Sequence, residues 1–147
     1  MFCHLYTRNG IAYVPTAAKT EAGYFLDIEP VEIVSVGDRS ALAQAIKRTI
    51  ARGHPRIPTP TRATGFPKSI MLKYANIKSL RTFERTALSW HFSKADECFQ
   101  IEQWQRGPEG GWVPDPAHTM RLPAGTSLDD AINRFTGLIQ LGWANDH

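Results

Sequence analysis

EPVEIVSVGDRSALAQAIKR, residues 29–48, recurs without a gap 86 positions later as DPAHTMRLPAGTSLDDAINR, residues 115–134. Both stretches open on an acid–proline step, and both contain Ala-Ile with an arginine two positions further on. Just upstream, EAGYF at 21–25 corresponds to EGGWV at 109–113. Self-similarity of this kind indicates a chain built from related structural units. The sequence therefore predicts two copies of one unit.

Each copy carries strand signals followed by a helix signal. Asn9-Gly10 is a strong hairpin-turn sequence, with candidate strands at residues 2–7 before it and 11–14 after it. Apolar and polar residues alternate from Leu88 onward in the second copy. The residues that can cap the two helices are Asp38 or Ser40, and Thr126 or Ser127. Because a helix with one apolar face needs a sheet to cover, we predict an α+β fold. In it, each strand-rich unit is followed by an amphipathic helix packed on antiparallel sheet.

The two units leave a segment between them that is not repeated. We expect one domain over residues 1–147, with the related units at 2–53 and 88–141 and an insert at 54–87. Four prolines between positions 55 and 67 predict an extended loop at the start of the insert. Residues 70–74 are predicted as a strand, and a short helix containing Leu80 and Phe83 is predicted after it.

Charge and cysteine content bound the class of protein. The net charge of +3 hides an uneven distribution: the insert has seven Lys/Arg against one Asp/Glu, and residues 88–147 have four against eight. We find no apolar run near 18 residues and no basic–apolar leader, so we expect neither a membrane span nor a signal peptide. Two distant cysteines favour reduced thiols and a cytoplasmic location.

No motif for catalysis or for a cofactor is present in the sequence. The five histidines have no Cys, His or carboxylate at metal-ligand spacing, so we predict no metal site and no cofactor. Nothing in the pattern requires an enzyme. An active site that brings His91, Cys98 and His118 together from different parts of the chain stays open, because tertiary contacts are invisible at this stage.

We predict structural roles for the four tryptophans. Trp90 lies in an alternating strand and is expected in the core. Trp104 and Trp112 flank the turn sequence GPEGG, and we predict that their rings stack across it. Trp143 follows the last helix and is expected to cover its end.

Two charged surfaces are candidates for contact with a partner, and the sequence does not decide between them. The basic one lies in the insert and comprises Arg56, Arg62, Phe66 and Lys68. The acidic one lies in the second unit and comprises Asp96, Glu97, Glu102, Glu109 and Asp115. Cations interleaved with aromatic residues can also hold a nucleic-acid backbone and stack on bases. A small nucleic-acid-binding protein that uses residues 54–87 is therefore the alternative function.

Two family resemblances bear on the function. The stretch IAYVPTAAKTEAGYFLDIEPVEIVSVGDRSALAQAIKRTIARG, residues 11–53, resembles the HicB-type antitoxins. With its segments ERTALSWHFSKADECFQIEQW and GGWVPDPAHTMRLPAGTSLDDAINR, the whole chain resembles the immunity proteins of contact-dependent growth inhibition. That resemblance implies a small bacterial cytoplasmic α+β protein. It would bind and block a cognate toxin domain, often a nuclease, by protein–protein contact and without catalysis.

Overall fold

The computed structural model describes residues 1–65 and 69–143 and has an α+β fold. Its strands are β1 (Phe2–Arg8), β2 (Ile11–Thr20), β3 (Phe25–Ser35), β4 (Arg56–Ile57), β5 (Leu88–Ala95), β6 (Cys98–Arg106) and β7 (Trp112–Arg121). Its helices are α1 (Arg39–Arg52), α2 (Ile70–Tyr74), α3 (Leu80–Thr86) and α4 (Leu128–Leu141). Within these ranges, no helix is both long and apolar enough to cross a membrane.

The sheet is arranged symmetrically about its central pair of strands. Its order is β3-β2-β1-β5-β6-β7, and the short β4 runs parallel to β2 away from this path. β1 and β5 are antiparallel, and His4 lies opposite His91 in their ladder. The three strands of each unit therefore extend outward in mirrored order from one central ladder. The prediction of two related strand–helix units in an α+β fold is confirmed, while the single-domain bounds stay a prediction.

The two hairpins that flank the centre have equivalent two-residue turns. Asn9 and Gly10 join β1 to β2 with φ of 51° and 76°. Asp96 and Glu97 join β5 to β6 with φ of 53° and 64°. Positive φ at both central residues is the backbone that matches the twist of the flanking strands. The first unit uses the favoured Asn-Gly sequence, whereas the second holds the same turn with two acidic residues.

The main core lies between the sheet and the helices α1 and α4. Trp90 is buried, and its ring contacts both Phe135 and Trp143. Asp38 accepts a hydrogen bond from the Ala41 amide at the start of α1, and Ser127 accepts one from the Asp130 amide at the start of α4. Of the predicted caps, Asp38 and Ser127 thus act at the two helices. The predicted places of Trp90 and Trp143 in this core are also confirmed.

The insert packs on the opposite face of the sheet. Phe83 and Met71 are 1% exposed, and the Phe83 ring meets Tyr6 edge-on at 5.3 Å. The prediction of a strand at residues 70–74 is wrong, because these residues form α2. Ser69 caps this helix through the Met71 amide, and a five-residue run is too short for periodicity to separate helix from strand.

Candidate functional site

The sheet face opposite α1 and α4 is covered unevenly. Over the first unit, α2 and α3 bury Tyr6 and Tyr13 in a second apolar cluster. Over the second unit, the side chains that β5 and β6 present on this face, such as His91 and Glu102, are only partly buried. His4 and His91 lie at the boundary between the two areas, with ring centroids 5.5 Å apart. The polar groups of interest gather at this boundary.

Asp27 is the centre of the hydrogen-bonded group. One of its carboxylate oxygens pairs with His4 Nε2, and the Tyr6 hydroxyl donates to the other at 3.0 Å. The side chains of His4 and Asp27 are only 12% and 14% exposed. Burial raises the pKa of Tyr6 well above its ordinary value, and the nearby carboxylates of Asp27 and Glu84 raise it further. Tyr6 therefore stays a neutral donor toward Asp27.

His91 has a different environment from its partner across the ladder. Its ring stacks on Trp104 with centroids 4.0 Å apart. The pKa of His91 is lowered to about 3, mainly by burial and to a smaller extent by His4, while Asp27 opposes the shift. His91 is therefore a neutral imidazole near pH 7. The predicted stacking of Trp104 on Trp112 is wrong, since Trp104 packs on His91 and Trp112 contacts Tyr6 at 5.9 Å.

A recess of about 330 Å³ opens beside Asp27, and we call it the insert recess. Its lining includes the rings of His4, Tyr6 and Phe25, the aliphatic residues Leu26 and Leu80, and the carboxylate of Asp27. Phe25 and Leu80 also face solvent, with 40% and 44% of their surface exposed. The recess therefore combines an aromatic wall with one acidic group.

A second recess, of about 510 Å³, lies on the other side of Leu80, between α3 and the turn that joins β6 to β7. Glu84 is 7% exposed at its base. Its two carboxylate oxygens accept the Gly111 amide hydrogen at 3.0 and 3.1 Å. Arg106 Nε lies 3.6 Å from the same carboxylate. Glu84 thus ties the insert to a turn of the second unit.

The predicted acidic contact residues do not form one cluster. Asp96 and Glu97 lie on the turn between β5 and β6, and Glu109 lies on the turn at the far end of β6. Nine strand residues separate those turns, which corresponds to about 30 Å. Glu102 lies midway on β6, and Asp115 on the edge strand pairs with His118 Nδ1 at 2.5 Å. Partner contact by these residues stays a prediction.

The predicted basic contact residues are placed only in part. Arg56 is exposed on β4 and Arg62 is exposed in the following loop, whereas Phe66 and Lys68 lie outside the described residues. Another cation of the insert, Lys73, is engaged by Glu29 at 2.8 Å. Nucleic-acid binding by this segment stays a prediction as well.

The three residues considered for an active site do not meet. His91 lies on the open sheet face, while His118 packs against Trp143 beside the main core. Cys98 pairs with Ala95, four positions along β5 from His91, which is about 13 Å away. In the described ranges, no group of three or more His, Cys, Asp or Glu side chains is placed to hold a metal ion.

Sequence reasoning missed the insert recess. Alternation along β1 puts His4 and Tyr6 on the face away from Cys3 and Leu5, and this was the available signal. Nothing in the sequence connects that face with Asp27, which is 23 residues from His4. The pairing depends on how three strands are placed side by side.

No protein-family model matches the chain, and no curated protein matches it significantly. The HicB-like resemblance of residues 11–53 is thus without support. Two solved structures are similar in fold, each at 12% sequence identity. A protein of unknown function from Neisseria meningitidis has a TM-score of 0.62, with 94% of this chain and 92% of that chain covered. A chain of the CdiA-CT/CdiI toxin and immunity complex from Yersinia pseudotuberculosis has a TM-score of 0.58, with 94% of both chains covered. At this identity, the likeness establishes a shared fold.

Proposed function

We propose that this chain is an immunity protein that binds a cognate bacterial toxin domain and blocks it by protein contact. The observation that carries the proposal is the likeness in fold to a chain of the CdiA-CT/CdiI toxin and immunity complex, which extends over 94% of both chains. A protein with this role acts in the cytoplasm of the cell it protects. It needs a rigid scaffold and a surface complementary to one partner rather than an active site.

The surface formed by Leu80, Phe25 and the recesses on both sides of Leu80 supports a contact of this kind. We call it the insert surface. Leu80 projects from the start of α3 with 44% of its surface exposed and lines the recesses on both of its sides. Leu80 and the exposed Phe25 together give this surface an apolar area beside polar groups, which suits contact with a partner. Leu80 belongs to the insert, and the recesses on its two sides are completed by β1 and β3 of the first unit and by the β6–β7 turn of the second.

We further propose that the toxin is a nuclease. A nuclease holds phosphates in a basic cleft, and an inhibitor complementary to such a cleft presents carboxylates. Glu102 on the open sheet face and Asp96 and Glu97 on the neighbouring turn are carboxylates of this kind. Their charge would steer a basic toxin domain toward this chain from a distance and make the association rate sensitive to salt, while the surface around Leu80 makes the contact.

The proposal is tested by co-expressing this chain with the toxin domain encoded next to it. Cells that carry both are expected to grow, cells that carry the toxin alone are expected to stop growing, and the two proteins are expected to co-purify. Absence of protection by the wild-type chain would overturn the immunity assignment. If the isolated chain instead bound nucleic acid with a steep salt dependence, the alternative function would be favoured.

Two matched variants locate the contact. Leu80 and Leu128 are each the first residue of a helix after a serine cap, and they are 44% and 38% exposed. A glutamate is well tolerated in the first turn of a helix because it faces the positive end of the dipole. We expect Leu80→Glu to weaken toxin binding at least tenfold and Leu128→Glu to leave it unchanged. The opposite result would move the contact to the helical side of the sheet.

A further inference from the structure

The insert recess holds a carboxylate with unused hydrogen-bonding capacity. Each oxygen of Asp27 takes part in one hydrogen bond, with His4 on one side and with Tyr6 on the other. A carboxylate can accept about four hydrogen bonds in total, so roughly half of its capacity is left. Leaving that capacity unused costs free energy in a buried carboxylate, because water solvates it poorly and a partner of opposite sign would stabilise it.

Within the recess, His4 is the basic side chain that pairs with Asp27, and Tyr6 stays a neutral donor. His91, the next ring along, is also neutral, because burial keeps its pKa at about 3. Among the described residues that line the recess there is no Lys or Arg. A cationic side chain that enters this concave site therefore meets a carboxylate and no competing Lys or Arg from the described lining.

The walls of the recess narrow the choice of ligand. His4, Tyr6 and Phe25 supply ring faces, and Leu26 and Leu80 supply an aliphatic surface. Aromatic faces attract cations electrostatically, and a planar guanidinium can stack on a ring while it donates to a carboxylate. An alkyl stem suits the aliphatic part of the lining. An anion or a phosphate would face the carboxylate and is disfavoured.

We propose that the insert recess binds the side chain of an arginine of the partner protein, with Asp27 accepting the guanidinium hydrogens and Phe25 and Leu80 covering the stem. The identity of the partner rests on the proposed function. The preference of the recess for a guanidinium is independent of that function. Arginine is among the residue types that dominate binding energy at interfaces. The recess then gives the insert surface a specific anchor point.

The experiment uses Nα-acetyl-arginine methylamide as the probe and Nα-acetyl-citrulline methylamide as its uncharged isostere. The ring signals of His4 and Tyr6 are followed by NMR during titration of the whole chain. We expect saturable shifts with the arginine probe, at a dissociation constant of about 1 mM, typical of one small anchored group. Binding of the citrulline probe is expected to be at least tenfold weaker.

Variants assign the binding to the recess. Asp27→Asn is expected to weaken the arginine probe at least tenfold. Asp115→Asn is the matched control, because Asp115 also pairs with a histidine but lines none of the recesses described above. Should Asp27→Asn disturb the fold, Phe25→Ala keeps the carboxylate, removes one aromatic wall and is expected to weaken the probe about threefold. Equal binding of the two probes, or an unchanged affinity in both recess variants, would overturn the proposal.

Two further samples test which ligand occupies the recess. Free arginine binding more than tenfold tighter than the capped probe would assign the site to a small molecule and overturn the partner assignment. Lys68 lies outside the described residues, and a Lys68→Ala sample removes it as a competing cation. Probe binding seen in that variant alone would assign the recess to this chain's own lysine. Protection against the toxin is scored separately for each variant. A recess variant that no longer binds the probe but still protects cells would reject the arginine-binding role of the recess and leave the immunity assignment intact.

Discussion

The two strand–helix units agree on the side of the sheet that faces the helices and differ on the other side. Toward the helices, Ala12 and Val14 of β2 lie in the core as Phe99 and Ile101 of β6 do, 87 positions later in the chain. On the opposite face, the insert covers the first unit, and the second unit is left partly open. The repeated positions hold the scaffold, and the differences create the surfaces available to a partner.

The central histidines show the same divergence on a smaller scale. His4 and His91 face each other across the β1–β5 ladder. His4 pairs with a carboxylate under the edge of the insert, whereas His91 packs on an indole. Of these two equivalent positions, that of His4 thus belongs to the insert recess, whereas that of His91 belongs to an aromatic stack.

The largest expected effect breaks the equivalence of the two helices. Phe135 on α4 and Thr49 on α1 hold corresponding positions, and both are buried. Phe135→Ala is expected to lower the free energy of unfolding by about 3–5 kcal/mol, through lost burial and the cavity left behind. Thr49→Ala removes a hydrogen bond from its hydroxyl to the Ala45 carbonyl and is expected to cost about 1 kcal/mol. Urea unfolding at constant m-value measures both effects. Equal losses of unfolding free energy in the two variants would show that α4 does not contribute more to the core than α1.

The second prediction separates the two histidines by pH. The pKa of His91 falls from 6.5 to about 3 on folding, because burial disfavours its charged form. Between these values the unfolded chain binds more protons, so stability is greatest above pH 6.5 and falls as the pH drops toward 3. From pH 7 to pH 5, the wild type is expected to lose about 2 kcal/mol through this residue alone.

His91→Gln supplies the comparison for that measurement. It removes the titrating imidazole, so its stability should depend less on pH by the same amount over the same interval. Titrating groups that do not interact with His91 contribute equally in both proteins and cancel in the difference. Parallel stability curves for the two proteins would show that the His91 ring is not desolvated.

The third prediction concerns the link between the insert and the second unit. Glu84 on α3 is buried and accepts the Gly111 amide hydrogen from the β6–β7 turn. Glu84→Gln weakens these bonds and is expected to cost about 1–2 kcal/mol in urea unfolding. Glu109→Gln changes an exposed acid of the same turn and should stay within about 0.5 kcal/mol. If both variants were neutral, the insert would not be anchored through this carboxylate.

Much of the scaffold could be predicted because it depends on local patterns. Alternation of apolar and polar residues predicts strands, and the capping residues Asp38 and Ser127 predict where α1 and α4 begin. The short α2 could not be predicted, since its five residues are held by Ser69 and by packing of Met71 against the sheet in the cluster with Tyr6 and Tyr13. Tertiary context decides such short elements.

The candidate site escaped prediction for a different reason. The bond from His4 to Asp27 reaches from β1 to β3 across the intervening β2, where the small Ala17 lies opposite Asp27. Such a pairing exists only after the strands are placed in order and register. The acidic residues show the converse case, because Glu97 and Glu109 are close in sequence but lie at opposite ends of β6.

The smallest expected effect tests the two equivalent turns against each other. Gly10 has a φ of 76° and Glu97, at the same place in the second unit, has a φ of 64°. A residue with a Cβ pays about 1–2 kcal/mol in this left-handed region. Glycine avoids that cost but loses about 0.5–1 kcal/mol more in backbone entropy on folding. Glu97→Gly is therefore expected to raise stability by about 0.5 kcal/mol, and Gly10→Ala to lower it by about 1 kcal/mol, in thermal or urea unfolding.

Glu97→Gly also sharpens the choice between the two contact surfaces. Glu97 lies at the tip of the β5–β6 hairpin, away from the insert surface around Leu80. If the toxin docks on the insert surface, this variant keeps its protective activity while its stability rises slightly. A loss of protection in a chain that has become more stable cannot come from misfolding. That outcome would assign the toxin contact to the acidic turn of the second unit.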